Sequence, residues 1–286
     1  MKLFLSVLVA VCFFIACKTP AGFNSKLPQA KIKDIAYGSF ASSKMDVSLP
    51  PGRNSSTPFV IVIHGGAWVM GDKVWGSRTQ DSLLAHGIAS ANINYRFADD
   101  SATHYPQLLA DIDSAIRFCI AHAAEWNTRK KDFVITGESA GAHLALLYAY
   151  TYPQKINAVI AACAPTDLTD TALLNYYAKH DASLLQSVAK IAGAHYDPAK
   201  KLPAAFAAAS PVVHVKPLPT LIFHGTNDWV VPYQQAIALE KALKDKGIIH
   251  RFIPMKDAGH DLGFNTPEGR AIIYREMMKW IAEYGK

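Results

Sequence analysis

Apolar runs too short for helices alternate along this chain with longer stretches in which apolar residues recur every three or four positions. Phe59–Ile63 is a nearly unbroken β-branched run that ends at His64, and Ile88–Tyr95, Asp132–Thr136, Ile156–Cys163 and Thr220–His224 are of the same kind. Such runs read as strands buried on both faces, the pattern of a parallel sheet covered by helices. Ile248–Ile253 is more polar, as suits a strand nearer an edge, and Ile32–Gly38 and Lys44–Leu49 predict antiparallel strands leading into the sheet. Between Pro106 and Glu125, the residues Leu108, Leu109, Ile112, Ala115, Ile116, Cys119, Ile120 and Ala123 form a stripe of helical period. Ala140–Tyr150, Pro232–Lys246 and Glu268–Tyr284 predict three more helices. The expected class is α/β, with a mostly parallel central sheet and helices on both faces. Residues 165–210 break the rhythm: they hold Tyr176, Tyr177, His180, His195, Tyr196 and Phe206 without a clear strand. They read as a small lid insertion lying over one end of the sheet, and the chain carries no internal repeat.

Composition narrows the picture. With 50% hydrophobic and 18% charged residues in 286, the chain is neither a disordered nor a collagen-like polymer. The net charge of +6 is spread over many positions, and the longest basic run is Arg129-Lys130-Lys131. No dense Lys/Arg stripe with interleaved aromatics is present, so no nucleic-acid partner is expected.

The first residues read as a targeting segment rather than as part of the fold. Met1-Lys2 is followed by an apolar stretch from Leu3 to Ala16 and then Cys17, a secretory leader too short for a transmembrane helix. Phe14-Ile15-Ala16-Cys17 resembles a lipoprotein cleavage site, which predicts a lipid on Cys17 and a protein held on a membrane surface in the cell envelope. The alternative is cleavage after Ala16 or Ala21 and a soluble periplasmic or extracellular protein. Residues 18–31, rich in Pro, Gly, Ser and Lys without periodicity, read as a tether, and residues 32–286 as one domain. Of the four cysteines, Cys12 and Cys17 fall in the leader, whereas Cys119 and Cys163 lie in apolar contexts and read as buried free thiols. No CxxC pair or His/Cys cluster offers a metal site, and no cofactor is expected.

The strongest chemical signal is Gly137-Glu138-Ser139-Ala140-Gly141, directly after the strand Asp132–Thr136 and directly before a helix. A serine on a strand-to-helix bend is forced into a strained backbone conformation, and small residues two positions to either side leave room for it. The hydroxyl then stands above the sheet edge at a helix N-terminus, where developing negative charge is favoured. A serine hydroxyl needs an imidazole to take its proton. Of the eleven histidines, His260 lies in Asp257-Ala258-Gly259-His260-Asp261, in the loop after the last strand and before the last helix. His64 and His224 also end strands but precede glycine turns, and read as loop-shaping residues. The imidazole needs a carboxylate to fix its tautomer and stabilise its cation. Asp228, which closely follows the strand Thr220–His224, is the candidate; Asp257 and Asp261 are nearer in sequence but follow no core strand as closely. His64-Gly65-Gly66-Ala67-Trp68 follows the strand Phe59–Ile63, and its small residues free backbone N–H groups to face a substrate oxygen. With the N–H of Ala140, those of Gly66 and Ala67 would form an oxyanion hole.

These motifs, together with Gly71-Asp72-Lys73, Asn94-Tyr95-Arg96, His143-Leu144-Ala145, Ser210-Pro211 and His224–Asp228, carry a family resemblance. From about residue 45 to residue 284 the chain resembles an α/β-hydrolase of the hormone-sensitive-lipase/acetyl-esterase type. Within that type it is most similar to the bacterial feruloyl-esterase-like carboxylesterases, the BD-FAE group. The resemblance implies the α/β-hydrolase fold, nucleophile Ser139, acid Asp228, base His260 and oxyanion donors Gly66, Ala67 and Ala140. Ala67 replaces the third glycine usual in such loops, a change that keeps the N–H donor. It also implies a serine carboxylesterase acting through an acyl-enzyme on short-chain acyl or aromatic (acetyl- or feruloyl-type) esters, either small molecules or plant polysaccharides. Trp68 and Trp229 are the candidate substrate-stacking residues, alongside Trp75 and the aromatic insertion; the same aromatics could instead pack the lid. An arylformamidase-like amidase, a serine peptidase and a non-catalytic carbohydrate-binding relic are the alternative readings.

Overall fold

The computed structural model describes residues 27–285. The expected leader, Cys17 and most of the tether lie outside the described residues. Eight strands, β1 (Ala30–Ala36), β2 (Lys44–Leu49), β3 (Phe59–Ile63), β4 (Ala89–Ile93), β5 (Phe133–Glu138), β6 (Ile156–Ala162), β7 (Thr220–Gly225) and β8 (His250–Met255), form one sheet in the order β1-β2-β4-β3-β5-β6-β7-β8. β1 and β2 pair antiparallel, as do β2 and β4; every later pairing is parallel. The helices in chain order are α1 (Ser77–Ala85), α2 (Tyr105–Ala121), α3 (Ala123–Trp126), α4 (Ala140–Thr151), α5 (Thr171–His180), α6 (Ala182–Ala192), α7 (Ala204–Ala208), α8 (Gln234–Asp245) and α9 (Pro267–Tyr284). This is the α/β-hydrolase fold.

Burial explains the strand patterns. β3 and β4 are buried at every position because helices cover both faces, whereas β8, at the edge, is buried only at Met255. Leu108 and Ile112 of α2, Leu144 of α4 and Leu239 of α8 belong to one apolar layer. Leu83 of α1 and Ile273, Met277 and Trp280 of α9 belong to the layer on the other face. α4 is buried from Ala140 through Tyr150, which is why its sequence shows no polar stripe. Among the described residues, no helix is long and apolar enough to cross a membrane.

The connections place the site. After β3 the chain adds β4 on one side, then returns to add β5 on the other. The crevice beyond the carboxyl ends of β3 and β5 is therefore a topological switch point, where ligands of open α/β sheets bind.

Three elements depart from the sequence expectation. α1 was not foreseen: in Ser-Arg-Thr-Gln-Asp-Ser-Leu-Leu-Ala only Gln80, Leu83 and Leu84 are buried, too few to register as a stripe. The insertion at 165–210 is helical, with α5 and α6 started by the side chains of Asp170 and Asp181, which accept from backbone N–H groups of their first turns. β1 begins at Ala30, so the last two residues of the expected tether, Ala30 and Lys31, belong to the sheet.

At the opposite end from the crevice, the buried Arg129 guanidinium ties three segments together. It donates to the carbonyls of Ser56, Thr57, Asp132 and Gly285, the last just beyond α9. Replacing it strands buried acceptors. Arg129→Met is expected to destabilise the fold by about 2–4 kcal/mol, read as a lower urea midpoint with an unchanged slope.

Candidate active site

Ser139 has φ 51° and ψ −122°, a left-handed conformation that costs a non-glycine residue energy and that the surrounding packing must enforce. Its N–H donates to the Ala162 carbonyl at 2.8 Å and its carbonyl accepts from His143 N at 3.0 Å, so both sides of the bend are tied down. A Cβ on Gly141 would collide with the carbonyl oxygens of Ile63 and His64, and one on Gly137 with the backbone of Gly141. Glycine at these places lets α4 descend directly onto the end of β3.

The segment after β3 runs beside this bend. A Cβ built on Gly65 would lie 3.4 Å from the Cβ of Ser139. Gly66, Ala67 and Trp68 have φ of 111°, 49° and 63°, three left-handed residues in succession. The Gly66 carbonyl accepts from Val69 N at 3.1 Å and Met70 N at 3.0 Å, closing the loop. Among the described residues, the N–H groups of Gly66, Ala67 and Ala140 have no acceptor. Tyr95 donates to the His64 carbonyl at 2.9 Å and stacks on the His64 ring at 4.4 Å. Arg96 grips both oxygens of Asp111 in α2. Both residues brace the crevice.

Trp68 is not a substrate platform. It is 3% exposed, and its indole N–H donates to Nδ1 of His143 at 3.1 Å. His143 Nε2 lies 2.7 Å from the Ala209 carbonyl, which can only accept, so this imidazole is the neutral Nε2–H tautomer. Burial pulls its pKa down to about 4, against the raising effect of the Ala209 bond. The left-handed run Gly66–Trp68 turns the Trp68 ring inward. Trp229, in contrast, is 70% exposed, next to Asp228.

Asp228 and His260 meet. Nδ1 of His260 donates to Oδ2 of Asp228 at 2.7 Å, while Oδ1 accepts from the N–H groups of Val230 and Val231, both at 2.9 Å. The meeting requires close backbone approach: a Cβ on Gly225 would strike the carbonyl oxygens of Ala258 and Gly259. Asn227 N donates to the Ala258 carbonyl at 2.9 Å and Asp257 N to the Thr226 hydroxyl at 2.8 Å, lacing the two loops together. Asp257 and Asp261 are exposed, and Asp261 accepts from Gly263 and Asn265 within its own loop. His224 lies 3.4 Å from Oδ2 of Asp228 while its Nε2 donates to the Val231 carbonyl at 2.8 Å. It therefore fixes the loop that presents the carboxylate, a contact its strand-end position alone did not reveal.

β6 separates the strand that carries Ser139 from the strand that leads to Asp228. Glu138 is paired with Ala162, so Ser139 is adjacent to Cys163, and Cys163 reaches His260. Among the described residues the Ser139 hydroxyl makes no hydrogen bond; in unliganded sites such bonds are commonly long and shorten around substrate. Cys119 and Cys163 are both free and buried. Sγ of Cys163, an oxygen of Asp228 and a nitrogen of His260 lie within 4.8 Å of one another. Both Asp228 oxygens are already occupied by hydrogen bonds, so the trio is built as an acid–base pair with a thiol neighbour, not as an open metal cage.

Electrostatics keep Asp228 ionised and favour the imidazolium form of His260, the form that ring reaches on taking up a proton. Burial raises the Asp228 pKa, but hydrogen bonds from His224 and His260, the His260 charge and the Val231 N–H outweigh it and bring it to about 2. Burial alone would lower the His260 pKa; the bonds to Asp228 and Cys163 reverse this and raise it. Burial keeps the Cys163 thiol protonated, so it adds no charge beside the Asp228 carboxylate that His260 bonds.

The BD-FAE family model matches residues 45–243. A probable isoprenylcysteine alpha-carbonyl methylesterase of Arabidopsis thaliana is 33% identical over 118 residues, 40% of this chain and 23% of the relative. Esterase LipQ of Mycobacterium tuberculosis is 28% identical over 232 residues, 76% of this chain and 54% of the relative. The chain thus spans about half or less of the length of these curated relatives. Among solved structures, a truncated carbohydrate esterase from gut microbiota superposes with a TM-score of 0.74 at 23% identity, covering 92% of this chain and 98% of the other, a likeness of fold.

The pair generates a direct test. In an NMR titration the His260 imidazole is expected to titrate above the ordinary histidine value of 6.5. Asp228→Asn should lower it, because the strongest contact that opposes burial is then gone.

Proposed function

The chain belongs to the BD-FAE family, and from that premise we propose that it is a serine carboxylesterase. The observation that carries the reading is the strained Ser139 bend, set between three acceptor-free N–H groups and the Asp228–His260 pair. Ser139 attacks the ester carbonyl while His260 takes its proton, and Asp228 stabilises the imidazolium. The tetrahedral oxyanion is held by the N–H groups of Gly66, Ala67 and Ala140, each donor worth about 10²–10³ in rate. His260 then protonates the departing alcohol, and water repeats the sequence on the acyl-enzyme to release the acid. Each step is a proton or acyl transfer among side chains present in the chain, so no cofactor enters.

The substrate reading is a short-chain or aromatic acyl ester, of acetyl or feruloyl type, on a small molecule or a plant polysaccharide. Support comes from Trp229, an exposed aromatic beside the acid, and from Tyr176, also exposed, its ring tilted against that of His180 in α5. The fold likeness to an esterase described as acting on carbohydrate points the same way. The proposal extends to secretion and a lipid on Cys17, supported by the apolar stretch Leu3–Ala16 after Lys2.

Ser139→Ala is expected to lower kcat on 4-nitrophenyl acetate by about 10⁴–10⁶-fold with an unchanged melting curve, and a fluorophosphonate probe should label Ser139 in the wild type. Retained turnover, or no labelling, overturns the assignment. Growth with an azido fatty acid should tag the full-length chain, and Cys17→Ala should abolish the tag; an equal tag in both rejects the anchor.

A further inference from the structure

Behind the acid–base pair, on the α1/α9 face of the sheet, is a cavity of about 70 Å³ whose wall includes His64, Trp75, Thr79, Glu138, Cys163 and His260. Of these only His260 has a part in the reaction described above. Two others stand out. The first is His64, which is 1% exposed. Its Nδ1 lies 2.6 Å from the Gly65 carbonyl, which can only accept, so the proton sits on Nδ1 and the lone pair on Nε2. That Nε2 is buried without a hydrogen-bond partner. Closed off from water, the bare acceptor costs about 1–3 kcal/mol, and the neutral ring adds no charge to the cavity it borders.

The second is Glu138, the residue before Ser139. Among the described residues its carboxyl makes no direct hydrogen bond, yet it borders the same cavity as His260 and interacts electrostatically with that imidazole. We propose that Glu138 is a positioning residue for His260. Across this cavity its carboxylate acts with Asp228 to stabilise the imidazolium formed when Ser139 gives up its proton. The inference rests on the serine-esterase reading.

The other groups facing His260 leave this assignment standing. Asp228 comes from the loop after β7, and Cys163, at the end of β6, is kept as a thiol by burial. His64, after β3, is kept neutral by burial. Asp261 is exposed and bonded within its own loop. From α9, Tyr274 is raised by burial and lies in the field of Glu138, Arg78 and Arg270. Around neutral pH the anionic groups acting on the imidazole across its packed surroundings are thus Asp228 and Glu138. Burial raises the Glu138 pKa and the His260 charge lowers it, while the residue as a whole reaches solvent, so its influence, unlike that of buried Asp228, is partly open to screening by salt.

The experiment is the His260 NMR titration and the pH profile of kcat/KM on 4-nitrophenyl acetate, for wild type, Glu138→Gln and Glu138→Asp, with Ser139→Ala as the inactive control. Removing a negative charge near an imidazole lowers its pKa. Glu138→Gln is expected to move the His260 inflection and the acid limb of the profile down by roughly 0.5 pH unit and to lower plateau kcat/KM by about three- to tenfold. Glu138→Asp should fall between, and 0.5 M salt should move the wild-type inflection more than that of Glu138→Gln. An unmoved inflection overturns the proposal, whatever the rate, because a merely structural role would lower activity without shifting it. A shifted inflection with unchanged kcat/KM overturns it as well. The NMR titration needs no turnover, so a chain that fails to hydrolyse esters defeats the esterase reading while the charge coupling is still read independently.

Discussion

Backbones at the carboxyl edge of the sheet approach one another more closely than any side chain would allow, and every functional feature is hung on those approaches. At Gly141 there is no room for a Cβ against the Ile63 and His64 carbonyls, and at Gly225 none against those of Ala258 and Gly259. The first contact seats α4 against the end of β3 and holds Ser139 in its left-handed conformation beside Gly65. The second pulls the loop after β7 onto the loop after β8, so that Asp228 and His260 sit 2.7 Å apart although 32 residues separate them. Backbone strain at Ser139, Ala67 and Trp68 is affordable because the parallel strands beneath are buried and paired along their length.

Around that frame the imidazoles are sorted by their partners. His64 and His143 each give their proton to a backbone carbonyl, and burial keeps both neutral. Their task is to hold shape: His64 stacks on Tyr95 under the oxyanion loop, and His143 receives Trp68 at its end. His224 gives its proton to the Val231 carbonyl and steadies the acid loop. His260 is the one of these four whose nearest acceptor is a carboxylate, at 2.7 Å, whereas His224 has the same carboxylate only as a second neighbour at 3.4 Å. His260 is also the one left 26% exposed in its side chain. A carbonyl partner fixes a ring without charging it, whereas a carboxylate partner favours the cation. The chemistry of the partner therefore separates the structural rings from the proposed base more sharply than burial does.

That distinction also shows what a linear reading can and cannot reach. Most strands were legible because burial on both faces leaves near-continuous apolar runs, and the Ser139 and Asp228 positions because each closely follows such a run; His260 was legible from its loop between the more polar last strand and the last helix. α1 was not legible, since Gln80 is buried by donating to the Asp46 carbonyl and a buried polar residue erases the stripe. The helices of the insertion were hidden because α5 rests partly on polar contacts, such as Tyr177 donating to the Val230 carbonyl. Trp68 was misplaced for a related reason: two successive left-handed residues, Ala67 and Trp68, turn the ring toward His143, and backbone handedness at non-glycine residues leaves no mark in composition. The link between His224 and Asp228 was likewise invisible, since a histidine at a strand end has the same spacing whether it bonds a carbonyl, a carboxylate or both.

The insertion, finally, is built into the site rather than laid over it. Ala209 accepts the His143 proton that orients the acceptor for Trp68, so the oxyanion loop and the end of the insertion share one hydrogen-bond chain. Ser210 donates to the Phe206 carbonyl and accepts from Leu168 N, and the buried Gln235 of α8 accepts from both Thr166 N and Asp167 N. Tyr177 holds α5 to the acid loop one residue beyond Trp229. A segment secured at its start, its middle and its end by buried hydrogen bonds resists hinge motion, because opening it would expose several unpaired groups at once. Held in this way the insertion is a standing wall rather than a flap, with Trp229 and Tyr176 as exposed aromatic points beside it.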